Sequence, residues 1–330
     1  MKLFSTYLLL FLYLKMTFGK SKKKNILFIV SDDLRPEINA FLQPDFPSPL
    51  HRTKIHSPNL DALAAKSALF KKAYVQQSLC SPSRTSFLTS RRPDTTRIYE
   101  IGPYWREEGG NFTTIPQFFK ENGYITKGFG KIFHTSHRWG NDDAYSWSEP
   151  YTNMECHEIY ENDKNSWTAV NKSTYEEYPL PDQQMLSFAR DSLQSLAIKS
   201  KQGQPFFLGL GIRRPHLPFQ FPEEFLSLYP MSDVYLPPNG YIPQGMPELA
   251  WSVDGQLLLS DDVKKVTPNF LYNSSLPDWK IRELRRAYYA TVSYIDSLIG
   301  QVMAELERQG LAEETIVSFV GDHGWHLGNN

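Results

Sequence analysis

The chain has 330 residues, 41% hydrophobic, 22% charged and 14% aromatic, a balance that suits one large globular domain or two ordinary ones. Its 35 Lys and Arg residues stand against 36 Asp and Glu, for a formal net charge of -1. That balance argues against nucleic acid as a partner, and there is no acidic excess of the kind that marks a disordered tail.

Lys2, the apolar run Leu3 to Leu14, and the small residues Thr17 and Gly19 follow the order of a secretory signal peptide over residues 1–19. The run is about a dozen residues, too short to cross a hydrocarbon layer of roughly 30 Å, so no stable membrane insertion is expected. The basic residues Lys20, Lys22, Lys23 and Lys24 read as the exposed flank of a cleavage site. Downstream, Asn111, Asn171 and Asn273 each open an Asn-x-Ser/Thr sequon, which marks them as glycan acceptors in a secreted chain. The two cysteines, Cys80 and Cys156, are expected to stay unpaired. Cys80 lies in a motif with a chemical look, and Cys156 lies in a polar loop.

In chain order, the first element is the continuous apolar run Ile26 to Val30, a strand buried on both faces. A helical pattern covers Asn59 to Phe70, and a second helix runs from Pro82 towards Arg91, with Cys80 at its positive N-terminal end. Helices follow over Ile115 to Glu121, closed by Gly123, and over Gln183 to Ile198. Strands are expected at Phe206 to Leu210 and Ile316 to Val320, with a long helix from Trp279 to Gln309 between them. Residues Trp139 to Pro181 and Pro215 to Pro277, rich in Pro, aromatic and polar residues, read as long loops over one face. Strands alternating with helices imply an α/β domain around a mainly parallel sheet.

Polar clusters follow three of these segments. Asp32-Asp33 follows the first strand, Arg213-Arg214-Pro215-His216 the second, and Asp322-His323 the third. Sites in open α/β sheets lie beyond the carboxyl ends of strands, so all three clusters point to one edge. Carboxylates brought together from Asp32, Asp33 and Asp322 would repel unless a cation neutralised them. A hard divalent ion, Ca²⁺ or Mg²⁺, answers that need, with His323 as a less usual nitrogen ligand.

The pentapeptide Cys80-Ser81-Pro82-Ser83-Arg84, followed by Gly123-Tyr124-Ile125-Thr126-Lys127-Gly128-Phe129-Gly130-Lys131-Ile132-Phe133-His134, resembles the two signatures of the sulfatase family. The resemblance runs from about Asn25 to Gly328. It implies an alkaline-phosphatase-like sandwich, a central mainly parallel sheet between helices, filled by residues 25–330. It further implies that Cys80 is oxidised to formylglycine by a formylglycine-generating enzyme during secretion, and that one Ca²⁺ is held by Asp32, Asp33, position 80, Asp322 and His323. In the mechanism carried over with it, a hydroxyl of the hydrated aldehyde attacks sulfur. Arg84 and Lys131 hold the hydrate and the sulfate oxygens, His216 protonates the leaving oxygen, and His134 takes a proton from the second hydroxyl.

Longer segments, among them Ser31-Asp-Asp-Leu-Arg-Pro36 and Gly321-Asp-His-Gly-Trp325, resemble the branch that removes the 2-sulfate of terminal iduronate from heparan and dermatan sulfate. A sulfated glycosaminoglycan is then the substrate and the lysosome the expected destination. A phosphohydrolase of the same superfold and a non-catalytic chain are the competing readings. Ser90 and Phe129 depart from the signatures at their flanks. Family members continue beyond Asn330 with a further sulfate-binding lysine, more strands and a small subdomain, so an incomplete chain is expected.

Overall fold

A computed structural model describes residues 23–41, 53–134, 140–237, 240, 244–247, 255–267 and 275–328. The leader over 1–19 and the sequon at Asn273 lie outside them. The strands β1 (Asn25–Ser31), β2 (Ile125–Gly130), β4 (Phe206–Ile212) and β6 (Thr315–Gly321) form one parallel sheet in the order β2-β4-β1-β6. A second, two-stranded parallel sheet pairs β3 (Trp167–Val170) with β5 (Phe219–Pro222). The main helices are α1 (Pro58–Ala65), α2 (Cys80–Thr89), α3 (Ile115–Glu121), α4 (Pro181–Lys201) and α5 (Asp278–Arg308).

The unbroken apolar runs are explained by a core on each face of the sheet. Leu27 and Ile29 of β1 join Phe206, Leu208 and Leu210 of β4 in one core, against Leu193 and Leu196 of α4 and Ile295 and Ile299 of α5. The alternate residues Phe28, Val30 and Phe207 face the other core, with Leu88 of α2 and Trp105, and Phe119 of α3 packs against it. This is the expected sheet between helix layers, and alternation along a strand is what divides its residues between them.

The helices α2 to α5 and the three apolar strands lie where the sequence pattern places them, with ends shifted by a few residues at most. The first helix does not reach Phe70. It ends at Ala65, where the Ser67 hydroxyl donates to Leu63 O at 2.7 Å and the Ser67 N–H to Ala64 O at 3.1 Å, local bonds that compete with a further turn. The segment 139–181 is also more than loop. It contains β3 and places Trp147 and Tyr151 against β2, where Gly128 must be glycine because an added Cβ would lie 2.5 Å from the Tyr151 ring. Likewise 215–277 contains β5. The strand β2 carries no apolar-run signal because Gly128 and Gly130 interrupt it.

The two departures from the signatures concern packing. Ser90 sits in the left-handed region at φ 56, which glycine adopts freely and serine at a cost of about 1–2 kcal/mol. Phe129 is buried and stacks on Phe188 with ring centroids 5.0 Å apart.

Strand register places the site. Ser31 pairs with Ile212 on one side and with Gly321 on the other, while Gly130 pairs with Gly211. The residues that follow (Asp32, Arg213, Asp322 and Lys131) therefore leave the sheet at the same edge. Among the described residues no helix is long and apolar enough to cross a membrane.

Candidate active site

Cys80 is the first residue of α2, with Leu79 extended before it, and its thiol is buried at the sheet edge. The Sγ lies 3.2 Å from His323 Nε2, 3.4 Å from Asp32 Oδ1 and 3.4 Å from Lys131 Nζ. Three strands and one helix thus meet at a single sulfur. Burial pushes the thiol above its ordinary range, and the bond to His323 offsets this only in part, so Cys80 is held as a thiol. Both Cys80 and Cys156 are free, as expected from the sequence.

Arg84, one turn further along α2, is buried and organises the carboxylates. Its Nε donates to Asp322 Oδ2 at 2.8 Å and its Nη2 to Asp32 Oδ1 at 3.1 Å. Its Nη1 donates to the carbonyls of Lys131 and Ile132, the latter at 3.1 Å. Four of its five N–H groups are spent on the protein, so its visible role is to fix Asp32, Asp322 and the Lys131 loop together. Burial works against the guanidinium charge, but Asp322 and Asp32 outweigh it and keep Arg84 protonated.

The two carboxylates separate in behaviour. Burial raises Asp32, yet Lys131 and Arg84 hold it well below the usual carboxylate range. Lys131 Nζ bonds Asp32 Oδ2 directly. Asp322 is pushed up to about 6, chiefly by burial, with Arg84 opposing and the Asp32 charge adding to the rise. Asp33 takes a left-handed backbone at φ 60. It is held there by its N–H on Asp322 Oδ1 at 2.9 Å and by the Tyr288 hydroxyl on its carbonyl at 2.8 Å. Its carboxylate meets His323 Nδ1 at 2.7 Å. Burial disfavours charge on His323, but its bonds to Asp33 and Cys80 raise it to about 10.

Asp32, Asp33, Cys80 and His323 each bring one donor atom into a group whose members all lie within 4.8 Å of one another. Two carboxylates with an imidazole and a soft sulfur make a mixed set. With an oxygen in place of the sulfur it becomes a mainly oxygen set, suited to a hard divalent ion. Asp322 stands beside this group, its Oδ1 taken by the N–H groups of Asp33 and His323 and its Oδ2 by Arg84.

The remaining histidines flank the cluster. His216 follows β4, and its Nδ1 donates to Leu217 O at 2.6 Å, which leaves Nε2 as the nitrogen without a hydrogen bond among the described residues. Burial lowers its pKa, with Asp32 pulling the other way. His134 is lowered to about 4 by burial, reinforced by Lys131 and Arg84, so its imidazole is neutral at ordinary pH. Its Nδ1 is buried with no partner among the described residues. Every residue singled out for catalysis or metal binding therefore comes to one sheet edge. Asn111 and Asn171 are exposed and lie elsewhere on the chain, each with its side-chain oxygen bonded locally.

The supporting residues carry no such signal in the sequence. Tyr151 donates to Gly130 O at 2.7 Å and accepts from Ile132 N at 3.3 Å, clamping the peptide on both sides of Lys131. Below it, Lys131 N donates to Gly211 O at 3.1 Å, and a Cβ on Gly211 would lie 2.2 Å from Lys131 backbone. Ser83 Oγ donates to Asp322 O at 2.7 Å. Tyr288 comes from the middle of α5, 255 residues after the Asp33 it holds, and no local signal could have paired them.

Comparison with known proteins follows this geometry. A family model described as Sulfatase matches residues 24–330. The chain is 39% identical over 319 residues to iduronate 2-sulfatase of Mus musculus, covering 93% of this chain and 55% of that protein. The chain spans about half the length of the curated relatives it matches. Among solved structures, a phosphonate monoester hydrolase from Silicibacter pomeroyi superposes with a TM-score of 0.62 at 21% identity, over 93% of this chain and 64% of that one. A 2-O GAG sulfatase superposes with a TM-score of 0.60 at 17% identity, over 93% and 59%. At these identities the structures speak to the fold alone.

Proposed function

The chain belongs to the sulfatase family, and from that premise we propose that it hydrolyses sulfate monoesters at position 80, with the 2-sulfate of terminal iduronate in heparan or dermatan sulfate as its target. The observation that carries the reading is the convergence of Asp32, Lys131 and His323 on Cys80 Sγ at 3.2–3.4 Å. The iduronate assignment draws support from the 39% identity to iduronate 2-sulfatase and from the resemblance carried by the segments Ser31 to Pro36 and Gly321 to Trp325.

In this reading Sγ stands in for an oxygen of formylglycine, made from Cys80 in the secretory pathway by a formylglycine-generating enzyme. That group supplies a hydrated aldehyde whose hydroxyl attacks sulfur. Asp32, Asp33, position 80 and His323, with Asp322 beside them, would hold a Ca²⁺ ion, which would supply positive charge to the sulfate site. The chain's own residues do the rest. Lys131 has three N–H groups, of which two point at Asp32 and position 80, leaving one for a sulfate oxygen. His216 offers Nε2 as the proton donor to the leaving sugar oxygen. His134, neutral by virtue of its burial beside Lys131 and Arg84, would accept the proton of the second hydroxyl at position 80, so that the aldehyde re-forms and sulfate leaves. Because His216 is lowered by burial, its donor form is favoured at acidic pH, which accords with a lysosomal address. Glycans at Asn111, Asn171 and Asn273 belong to the same secretory route.

The test is turnover of 4-nitrophenyl sulfate against 4-nitrophenyl phosphate by the secreted chain, followed by a 2-sulfated iduronate disaccharide. Release from both sulfate substrates with little from the phosphate supports the reading. A preference for phosphate would convert it to a phosphohydrolase, and no turnover would leave a non-catalytic chain.

A further inference from the structure

Asp182, the second residue of α4, is buried, and its Oδ1 accepts from the backbone N–H of Arg213 at 2.7 Å and of Arg214 at 3.4 Å. These N–H groups come just after β4 ends at Ile212, where no strand neighbour supplies an acceptor. The same short loop is tied at its next groups. Ser31 Oγ donates to Arg214 O at 2.8 Å, and the buried Arg214 guanidinium reaches Gln220 Oε1 from Nη2 at 2.5 Å. Gln220 in turn donates to Tyr160 O at 3.1 Å. The loop then turns through His216 N donating to Arg213 O at 3.1 Å, so Arg213 is held on its N–H by Asp182 and on its carbonyl by His216. A carboxylate buried this deeply is costly, and burial raises its pKa despite Arg214 nearby. A cap on a surface turn would need no such residue.

We propose that Asp182 is the positioning residue for His216: by holding the N–H groups of Arg213 and Arg214 it fixes the turn that aims the His216 imidazole at the leaving-group oxygen. This rests on the reading of His216 as proton donor. A proton donor matters in proportion to how poorly the leaving group departs unaided. A misaimed donor therefore penalises a sugar sulfate heavily and an aryl sulfate lightly, whereas general loosening of the fold penalises both alike.

The experiment measures kcat and KM on 4-nitrophenyl sulfate and on a sugar sulfate for the parent chain, His216→Ala, Asp182→Ala, Asp182→Asn and Asp182→Glu. His216→Ala should lose on the order of 10²-fold or more in kcat on the sugar sulfate and far less on the aryl ester. Asp182→Ala should show the same selective loss, smaller in size and in kcat more than KM. Asp182→Asn, which keeps an oxygen acceptor of the same reach, should recover most of it. If the alanine variant folds poorly, Asp182→Glu keeps the charge but displaces the acceptor, and should itself show the selective loss. Equal losses on both esters, or none, in the Asp182 variants would overturn the inference while leaving the donor role of His216 intact. Equal losses on both esters in His216→Ala would overturn that role, and with it this inference.

Discussion

Arg84 donates from Nε to Asp322 Oδ2 at 2.8 Å with neither side chain meaningfully reached by solvent, and from Nη2 it holds Asp32 at 3.1 Å. One guanidinium thus neutralises two buried carboxylates from different strands. Removing it leaves the buried Asp322 without its cation and Asp32 with Lys131 alone, and breaking a buried pair in this way costs about 3–5 kcal/mol. Arg84→Ala should lower stability by that order in urea unfolding. Arg84→Lys should recover little, because an ammonium cannot span two carboxylates and two carbonyls from one plane. Near-normal stability of the lysine variant would show that the fork geometry is unimportant.

Tyr151→Phe removes a hydroxyl that bonds on both sides of Lys131 while leaving its ring against Trp147 and Gly128. The loss should be about 1–3 kcal/mol of stability, since Gly130 O and Ile132 N lose a buried partner. Turnover should fall as well, because Lys131 loses its fixed stance. A variant with unchanged melting temperature and unchanged kcat would contradict the clamp.

Calcium should stabilise the folded chain if Asp32, Asp33 and their neighbours hold it. At about 100 times its dissociation constant a bound ion adds about 2.7 kcal/mol, visible as a rise in melting temperature that a chelator reverses. Asp33→Asn should lose most of that rise. An equal rise in the variant would place the ion elsewhere.

His134 has a folded-state pKa of about 4 against an ordinary value of 6.5. Between those values the unfolded chain binds a proton that the folded chain refuses, so stability falls as pH drops through this window and is intact above it. Relative to His134→Gln, the parent should lose stability between about pH 7 and about pH 4.5 in urea titrations. Parallel curves for the two proteins would show that His134 is not buried as neutral imidazole.

Much of this site is legible in the sequence, because its residues sit at strand ends and in two dense motifs. A run such as Ile26 to Val30 signals a strand buried on both faces, and Asp32 must then appear at the sheet edge. The pentapeptide from Cys80 to Arg84 carries its own helix-start signal in Pro82, which lies in the first turn of α2. What stays hidden depends on contacts distant in sequence. Gly128 and Gly130 disguise β2 because their small size serves Tyr151 and Gly211, which a local pattern cannot register. Asp182 reads as an ordinary acid in the first turn of a helix, and Tyr288 as one more aromatic on a buried face. The helix expected as far as Phe70 stops at Ala65, since a serine hydroxyl can end a turn that periodicity alone would continue.

The chemistry proposed for this chain depends on what position 80 becomes, and the most direct measurement is the mass of the peptide containing it, taken from active, secreted protein. Conversion to formylglycine predicts a peptide lighter than the encoded one by a sulfur and two hydrogens, with one oxygen gained, and reactive towards hydrazides. A peptide carrying only unmodified Cys80, from protein that still turns over sulfate esters, would contradict the account.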